Sequence, residues 1–385
     1  MNTLSITTTV LLLLTNTSLY AIDNSNTSID QELRKISKQL KLTGTPQARS
    51  SLPSIHSPLP QLGMKLFYSK ILGGEKDAAC VSCHHPLLGG GDNLSLSIGT
   101  HAQQPDVLGQ KRTLKAGYKL EVPRNAPTTF NAVFYTKTLF HDGRIKTLKN
   151  KQGISTPDVA LDKEDLLGGE NLLQAQARFP ITSHAEMRGD FMLKAHNQTL
   201  RRALANRLKK NWLREFRKGF SDTHSSADDL ITEQNISLAI AEYEASQVFI
   251  NNPWRKYLQG DDNAISNNAK KGALLFFKAE NKGGAHCSRC HHGDFFTDEL
   301  FHNTAMPQIG AGIGVGSTKT NDDGCGSITQ KKQDKFRFRT PTLLNTEVTG
   351  PWGHDGAYTS LESITRHMLS PLKSISDFDK KQLTQ

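Results

Sequence analysis

The chain has 385 residues, with 47 Lys and Arg against 37 Asp and Glu and an apolar fraction of 36%. That balance excludes an acidic disordered chain, a collagen and a membrane bundle, and the length suits two domains with a core each. The formal charge of +10 fits a solvated surface first and an acidic partner or surface second, and no Lys/Arg block is interleaved with aromatics, which argues against nucleic acid.

Taken in chain order, the one strongly apolar run lies at Val10 to Leu14 and is too short to span a bilayer. With Leu19-Tyr20-Ala21 behind it as a small-residue cleavage site, residues 1–21 read as a signal peptide, which places the mature chain in the periplasm. Residues 22–60 form a polar extension rich in Ser, Thr, Gln and Pro, with a short amphipathic helix expected over 31–41.

The sequence then repeats itself. Gly63 to Phe67 precedes Cys80 as Gly272 to Phe276 precedes Cys287. Ala126-Pro127-Thr128 and His141-Asp142-Gly143 follow the first cysteines; Thr340-Pro341-Thr342 and His354-Asp355-Gly356 follow the second. Landmarks recurring in one order imply two related domains, 61–260 and 261–385. Between them, Leu230 to Tyr257 has helical spacing, with Ile236, Ile240, Tyr243 and Ile250 on one stripe; Asn252-Pro253 and Gly260-Asp261-Asp262 break it. Thr359-Ser360-Leu361-Glu362 is a capping box opening a helix on which Leu361, Ile364 and Met368 share a face. No alternating strand pattern persists, so the fold class expected is all-α with long loops.

Four of the five cysteines fall in Cys80-Val81-Ser82-Cys83-His84 and Cys287-Ser288-Arg289-Cys290-His291. Both are C-x-x-C-H, the attachment pattern of haem c. Two thiols three residues apart sit on one helical turn and bond the two haem vinyl groups, and the next residue offers an imidazole to the iron. Chance would place one such motif in about two per thousand chains of this composition, and two make coincidence negligible. A zinc ribbon needs its cysteine pairs closer together, and a thioredoxin-type pair needs a βαβ context. Two tandem cytochrome c-like domains are therefore expected, each with one covalently bound haem c. Cys325 is left over as a free thiol in a loop.

Around these motifs lie Gly89-Gly90-Gly91-Asp92-Asn93-Leu94 running on to Ile98-Gly99-Thr100-His101, then Arg124-Asn125-Ala126-Pro127-Thr128 and Phe140-His141-Asp142-Gly143-Arg144. In combination they resemble the bacterial di-haem cytochrome c peroxidases, from about residue 60 to 385. The wider family includes MauG-type oxidases, which mature a partner enzyme, so membership alone does not settle the activity.

The resemblance implies roles for particular residues. The first haem, with His84 proximal, is the peroxidatic centre, and His101 is the displaceable ligand on its other side, one residue later than the family pattern because of Thr100. Gln176-Ala177-Arg178-Phe179-Pro180 and Ser183-His184-Ala185-Glu186-Met187 resemble the distal segment, with Glu186 as acid–base carboxylate and Gln176 as its neighbouring amide. The second haem collects electrons between His291 and Met368, where MauG-type oxidases carry Tyr instead of Met. Asn125, Thr349 and Pro351 match the protein ligands of a calcium ion, whose preference is for oxygen. His141 stands where the family has Trp between the haems, so it is either part of a changed electron route or a buried interface histidine. The activity implied is reduction of hydrogen peroxide with electrons from a small donor protein, a cytochrome c or cupredoxin, and a homodimer is possible. The alternatives are a MauG-like oxidase and a non-catalytic di-haem carrier.

Overall fold

A computed structural model describes residues 29–48, 51–148, 153–310 and 321–383. The expected signal peptide lies outside them. In chain order the helices are α1 (29–39), α2 (Pro58–Tyr68), α3 (Leu172–Gln176), α4 (Asn197–Lys209), α5 (Leu213–Phe220), α6 (Ala227–Leu230), α7 (Glu233–Ala245), α8 (Pro253–Leu258), α9 (Asn267–Phe277), α10 (Cys325–Thr329), α11 (Leu361–Leu369) and α12 (Pro371–Ser376). They belong to two units. One joins the described residues through Pro46 to Asn251–Asp294; the other joins Gln47–Ile250 to the chain from Phe295 onward.

The larger unit is built on a close crossing of α2 and α7. Pro58 sits in the first turn of α2, where a missing N–H costs nothing, and Thr232 caps α7 by accepting from Asn235 N. Gly63 explains the closeness: a Cβ there would lie 1.8 Å from Ala239 O. Phe67 meets Tyr243 edge-on at 5.0 Å. Leu66 and Phe67 of α2, Leu204 of α4, Phe216 of α5 and Ile240 of α7 fill one core. Each contributes about 1.5–3 kcal/mol of burial.

Three of the four residues expected on the 230–257 stripe are buried on α7, namely Ile236, Ile240 and Tyr243. Ile250 is not part of it, because α7 ends at Ala245. Short strands also occur. β1 (Thr138–Leu139), β2 (Ile145–Thr147) and β3 (Ile154–Ser155) form an antiparallel sheet, and β4 (Phe301–His302) pairs with β5 (Phe338–Arg339). Two or three residues are too few to write an alternating pattern, and the fold remains mostly helical.

Two C-terminal expectations shift. The N-cap of α11 is Ser360, which accepts from Ser363 N, rather than Thr359. On α11 the buried residue is His367, while Leu361 is 39% and Met368 48% exposed. His367 is held by Tyr358 Oη at 2.9 Å and Thr304 O at 2.8 Å. Cys325 is free and buried, and opens α10 instead of lying in a loop.

The smaller unit gathers α1, α8 and α9 around buried polar contacts. Asp30 accepts from Lys270 Nζ and Tyr257 Oη, both at 2.8 Å. Glu32 pairs with Lys278 at 2.9 Å and Arg34 with Asp262. Residues 29–46 of the polar extension thus belong to this unit, with their helix two residues earlier than expected.

Candidate active site

The first C-x-x-C-H segment forms a tight turn. Ser82 Oγ accepts from Ala79 N at 3.0 Å and His84 N donates to Cys80 O at 3.0 Å, closing one helical turn from the first cysteine to the histidine. Cys80 Sγ lies 4.0 Å from Met187 Sδ and Cys83 Sγ 4.0 Å from Ile98 O. Burial pushes the Cys80 thiol up to about 12, so neither packing nor a nearby cation explains it as a free nucleophile.

His84 is oriented by Gly90 O, 3.2 Å from Nδ1. That contact puts the proton on Nδ1, the Pro127 carbonyl is a second backbone partner of the ring, and burial lowers its proton affinity. A neutral imidazole beside two thiols fits a haem c. The loop that supplies this oxygen needs its glycines. A Cβ on Gly90, which has φ +76°, would lie 2.8 Å from Thr128 Oγ1, and one on Gly89 would lie 1.8 Å from Val348 O.

His101 adopts φ +61°. Its N–H donates to Asp77 Oδ2 at 2.7 Å, its ring stacks on Tyr118 at 4.1 Å, and its buried Nε2 makes no hydrogen bond. An unsatisfied buried nitrogen is rare, and Nε2 is the atom through which this histidine could bind a ligand. The extra residue Thr100 is used locally: Thr100 N donates to Ala185 O at 3.2 Å and Thr100 Oγ1 to His184 O at 3.0 Å.

Those carbonyls belong to the π-helical turn His184–Arg188, which carries Glu186. Gly99 allows the approach, since a Cβ there would lie 2.3 Å from both Ala185 O and Glu186 O. Burial raises the proton affinity of the Glu186 carboxyl, opposed by Arg144 and a hydrogen bond from Ser183. Its charge is felt at both Cys80 and Cys83, which puts it within electrostatic reach of the two thiols. Gln176 ends α3, half-buried, ten residues before it. A recess lined by Ile98, Thr100, His101, Tyr118 and His184 opens beside this loop and turn.

Sequence reasoning gave no role to the ionic cluster behind the site. Arg124 is held twice by Asp322, at 2.6 and 2.7 Å, and once by Asp142 at 2.7 Å. Arg144 also pairs with Asp142 and lies 3.4 Å over the Phe140 ring. Although burial disfavours its charge, Arg144 and Arg124 hold Asp142 well below the usual carboxylate range. His141 donates from Nε2 to Asn125 O at 3.1 Å, and burial with nearby Arg124 and Arg339 lowers it to about 4. It is therefore a neutral, hydrogen-bonded, half-buried histidine. His354 stacks on Phe338 at 3.5 Å, and its backbone O accepts from Asn125 N. Asn125 Nδ2 donates to Leu94 O and Ser95 O, which leaves its Oδ1 as the remaining oxygen. Thr349 is half-buried and Pro351 buried in the loop before His354.

The second C-x-x-C-H segment lies in the smaller unit and repeats the turn: His291 N donates to Cys287 O at 3.0 Å. It is anchored by Ala285 N to Leu275 O at 2.7 Å and His286 N to Lys278 O at 3.0 Å. Burial raises the Cys287 thiol. Met368, in the larger unit, is too exposed to serve as a core residue. No described helix is long and apolar enough to cross a membrane.

A family model for the di-haem cytochrome c peroxidases matches residues 58–263. The chain is 27% identical over 311 residues to methylamine utilization protein MauG of Methylophilus methylotrophus, covering 80% of this chain and 71% of that protein. It is 29% identical over 303 residues to cytochrome c551 peroxidase of Pseudomonas aeruginosa, covering 78% and 69%. Among solved structures, a MauG-like protein associated with microbial copper homeostasis shares the fold with a TM-score of 0.58 at 22% identity, over 84% of this chain and 79% of that one.

Proposed function

The chain belongs to the di-haem cytochrome c peroxidase family, and from that membership we propose that it reduces hydrogen peroxide to water in the periplasm, with electrons from a small cytochrome c or cupredoxin. Each turnover consumes one peroxide, two electrons and two protons and yields two waters. Cys80, Cys83 and His84 would hold the first haem c, and Cys287, Cys290 and His291, with Met368, the second. When bound, these groups supply the redox-active iron. The rest of the chemistry falls to the side chains. His101 Nε2 would close the first site at rest, and Asn125, Thr349 and Pro351 would hold calcium.

Glu186 carries the reading. A carboxyl whose proton affinity is raised by burial, within electrostatic reach of both haem cysteines, can take a proton from the near oxygen of peroxide and return one to the far oxygen as the bond breaks. Gln176 would orient the peroxide, and Arg144 steadies the carboxylate while it is ionised. An electron carrier has no use for such an acid. The MauG relative, nearly as similar as the peroxidase, supports a second reading, oxidation of a protein partner; Met368, where MauG-type oxidases carry Tyr, favours the peroxidase.

The test is Glu186→Gln. Both haems should remain attached by mass and pyridine-haemochrome spectrum, while peroxide turnover falls by about 10²–10⁴-fold. Full turnover in that variant would remove Glu186 from the mechanism. A wild-type chain that turns over no peroxide with any reduced donor would defeat the peroxidase reading.

A further inference from the structure

The two haem-bearing turns are dressed differently. In the first, Val81 and Ser82 between the cysteines are buried; in the second, Ser288 is half-buried and Arg289 exposed. The unit that holds the second turn is also the more basic part of the chain. Residues 29–46 and 251–294 contain 11 Lys and Arg against 6 Asp and Glu; all remaining residues contain 36 against 31. Half of the excess charge of the chain therefore sits in this unit.

Four of its six carboxylates are already engaged. Asp30, Glu32 and Asp262 are matched by Lys270, Lys278 and Arg34. Asp294, three residues after His291, accepts from Thr43 N and Gly44 N at 2.8 Å and from Thr43 Oγ1 at 2.6 Å. These bonds tie the N-terminal segment to the loop that follows the second haem motif. Gly44 is needed for the fit: its φ is +75°, and a Cβ would lie 2.9 Å from Arg255 Cα. The segment turns Leu33 and Ser37 inward and leaves Lys35, Lys38 and Lys41 exposed. Lys271, Lys282 and Arg289 of the haem-bearing stretch are exposed as well.

We propose that the exposed cations of this unit, three of them supplied by the N-terminal segment, dock an acidic electron-donor protein beside the second haem. The inference rests on the function above, in which that haem receives electrons. A face of one sign raises the encounter rate of an oppositely charged partner by about 10–10³-fold at low ionic strength, and salt removes the gain.

The experiment uses the holoprotein without peroxide, so failure as a peroxidase leaves it readable. Reduction of the second haem is followed by stopped flow with three donors: a reduced acidic plastocyanin-type cupredoxin, a reduced basic mitochondrial-type cytochrome c, and a small neutral reductant. With the acidic donor the second-order rate should fall at least ~10-fold as salt rises from about 10 to about 500 mM. The triple variant Lys35→Glu, Lys38→Glu, Lys41→Glu should lose ~10-fold with that donor at low salt and be unchanged with the neutral reductant. A faster rate with the basic donor at low salt, or no effect of the triple variant, would overturn the proposal. Binding of the wild type but not the variant to phosphatidylglycerol vesicles, with donor rates equal, would assign these cations to lipid instead.

Discussion

Arg124 offers the sharpest test of how the larger unit is held together. Arg124→Gln removes three charge-assisted hydrogen bonds of 2.6–2.7 Å and leaves Asp322 and Asp142, 3% and 2% exposed, to find other partners. Asp142 keeps Arg144 at 3.1 Å; Asp322 keeps only neutral donors such as Gly324 N at 2.9 Å. Breaking a buried pair from one side costs about 3–5 kcal/mol because the remaining charge is uncompensated. The pH dependence follows from the carboxylates. Burial opposes their charge, yet arginine holds both below the ordinary aspartate value near ~3.9. Their stabilisation is therefore fully present above that value and is lost as pH falls through the depressed folded values. In the variant, burial without the arginine raises Asp322, which escapes its penalty by taking a proton in mild acid. Urea unfolding followed by helical circular dichroism should show a gap of about 3–5 kcal/mol near pH ~7 that narrows near pH ~5. A gap below ~1 kcal/mol, or one equal at both pH values, would refute the account.

Gly99→Ala should displace the turn carrying Glu186, because its Cβ would lie 2.3 Å from Glu186 O; overpacking costs about 1–3 kcal/mol, and turnover should fall at least ~10-fold with both haems retained. His101→Ala should leave the first haem five-coordinate in the resting oxidised protein, read as a low-spin to high-spin change by EPR; an unaltered spectrum would remove His101 as ligand. Met368→Tyr should lower the potential of the second haem and leave the first unchanged. A redox titration that superposes on the wild type would withdraw the thioether from the second site.

The haem motifs were legible because covalent attachment needs its three residues within one turn, so their chemistry is written contiguously. The stripe of Ile236, Ile240 and Tyr243 was legible for a related reason: a packed helix face leaves a periodic mark, whereas Gly63 was visible only as a landmark of the repeat. What escaped is non-local. Arg124 and Asp322 are separated by 198 positions, and nothing in either neighbourhood announces the other. The burial of His367 in place of Met368 was likewise hidden, since the helical pattern of α11 admits both and only the Tyr358 hydroxyl and Thr304 carbonyl decide between them. The place of Thr100 in the sequence was visible, but its use, bonding to the carbonyls of His184 and Ala185, was not. The π-helical turn has no compositional sign at all.

The smaller unit is stitched from stretches more than half the chain apart. Asp30 and Lys270 are 240 positions apart, and Thr43 and Asp294 are 251. A ribosome adds about 5–20 residues per second, so α1 waits ten seconds or more, by that rate, before the surface it covers has been made. During that wait α2 and α7 have everything they require to cross. The larger unit is nevertheless finished last, because it also draws on the chain from Phe295 onward, including the Asp322 that holds Arg124.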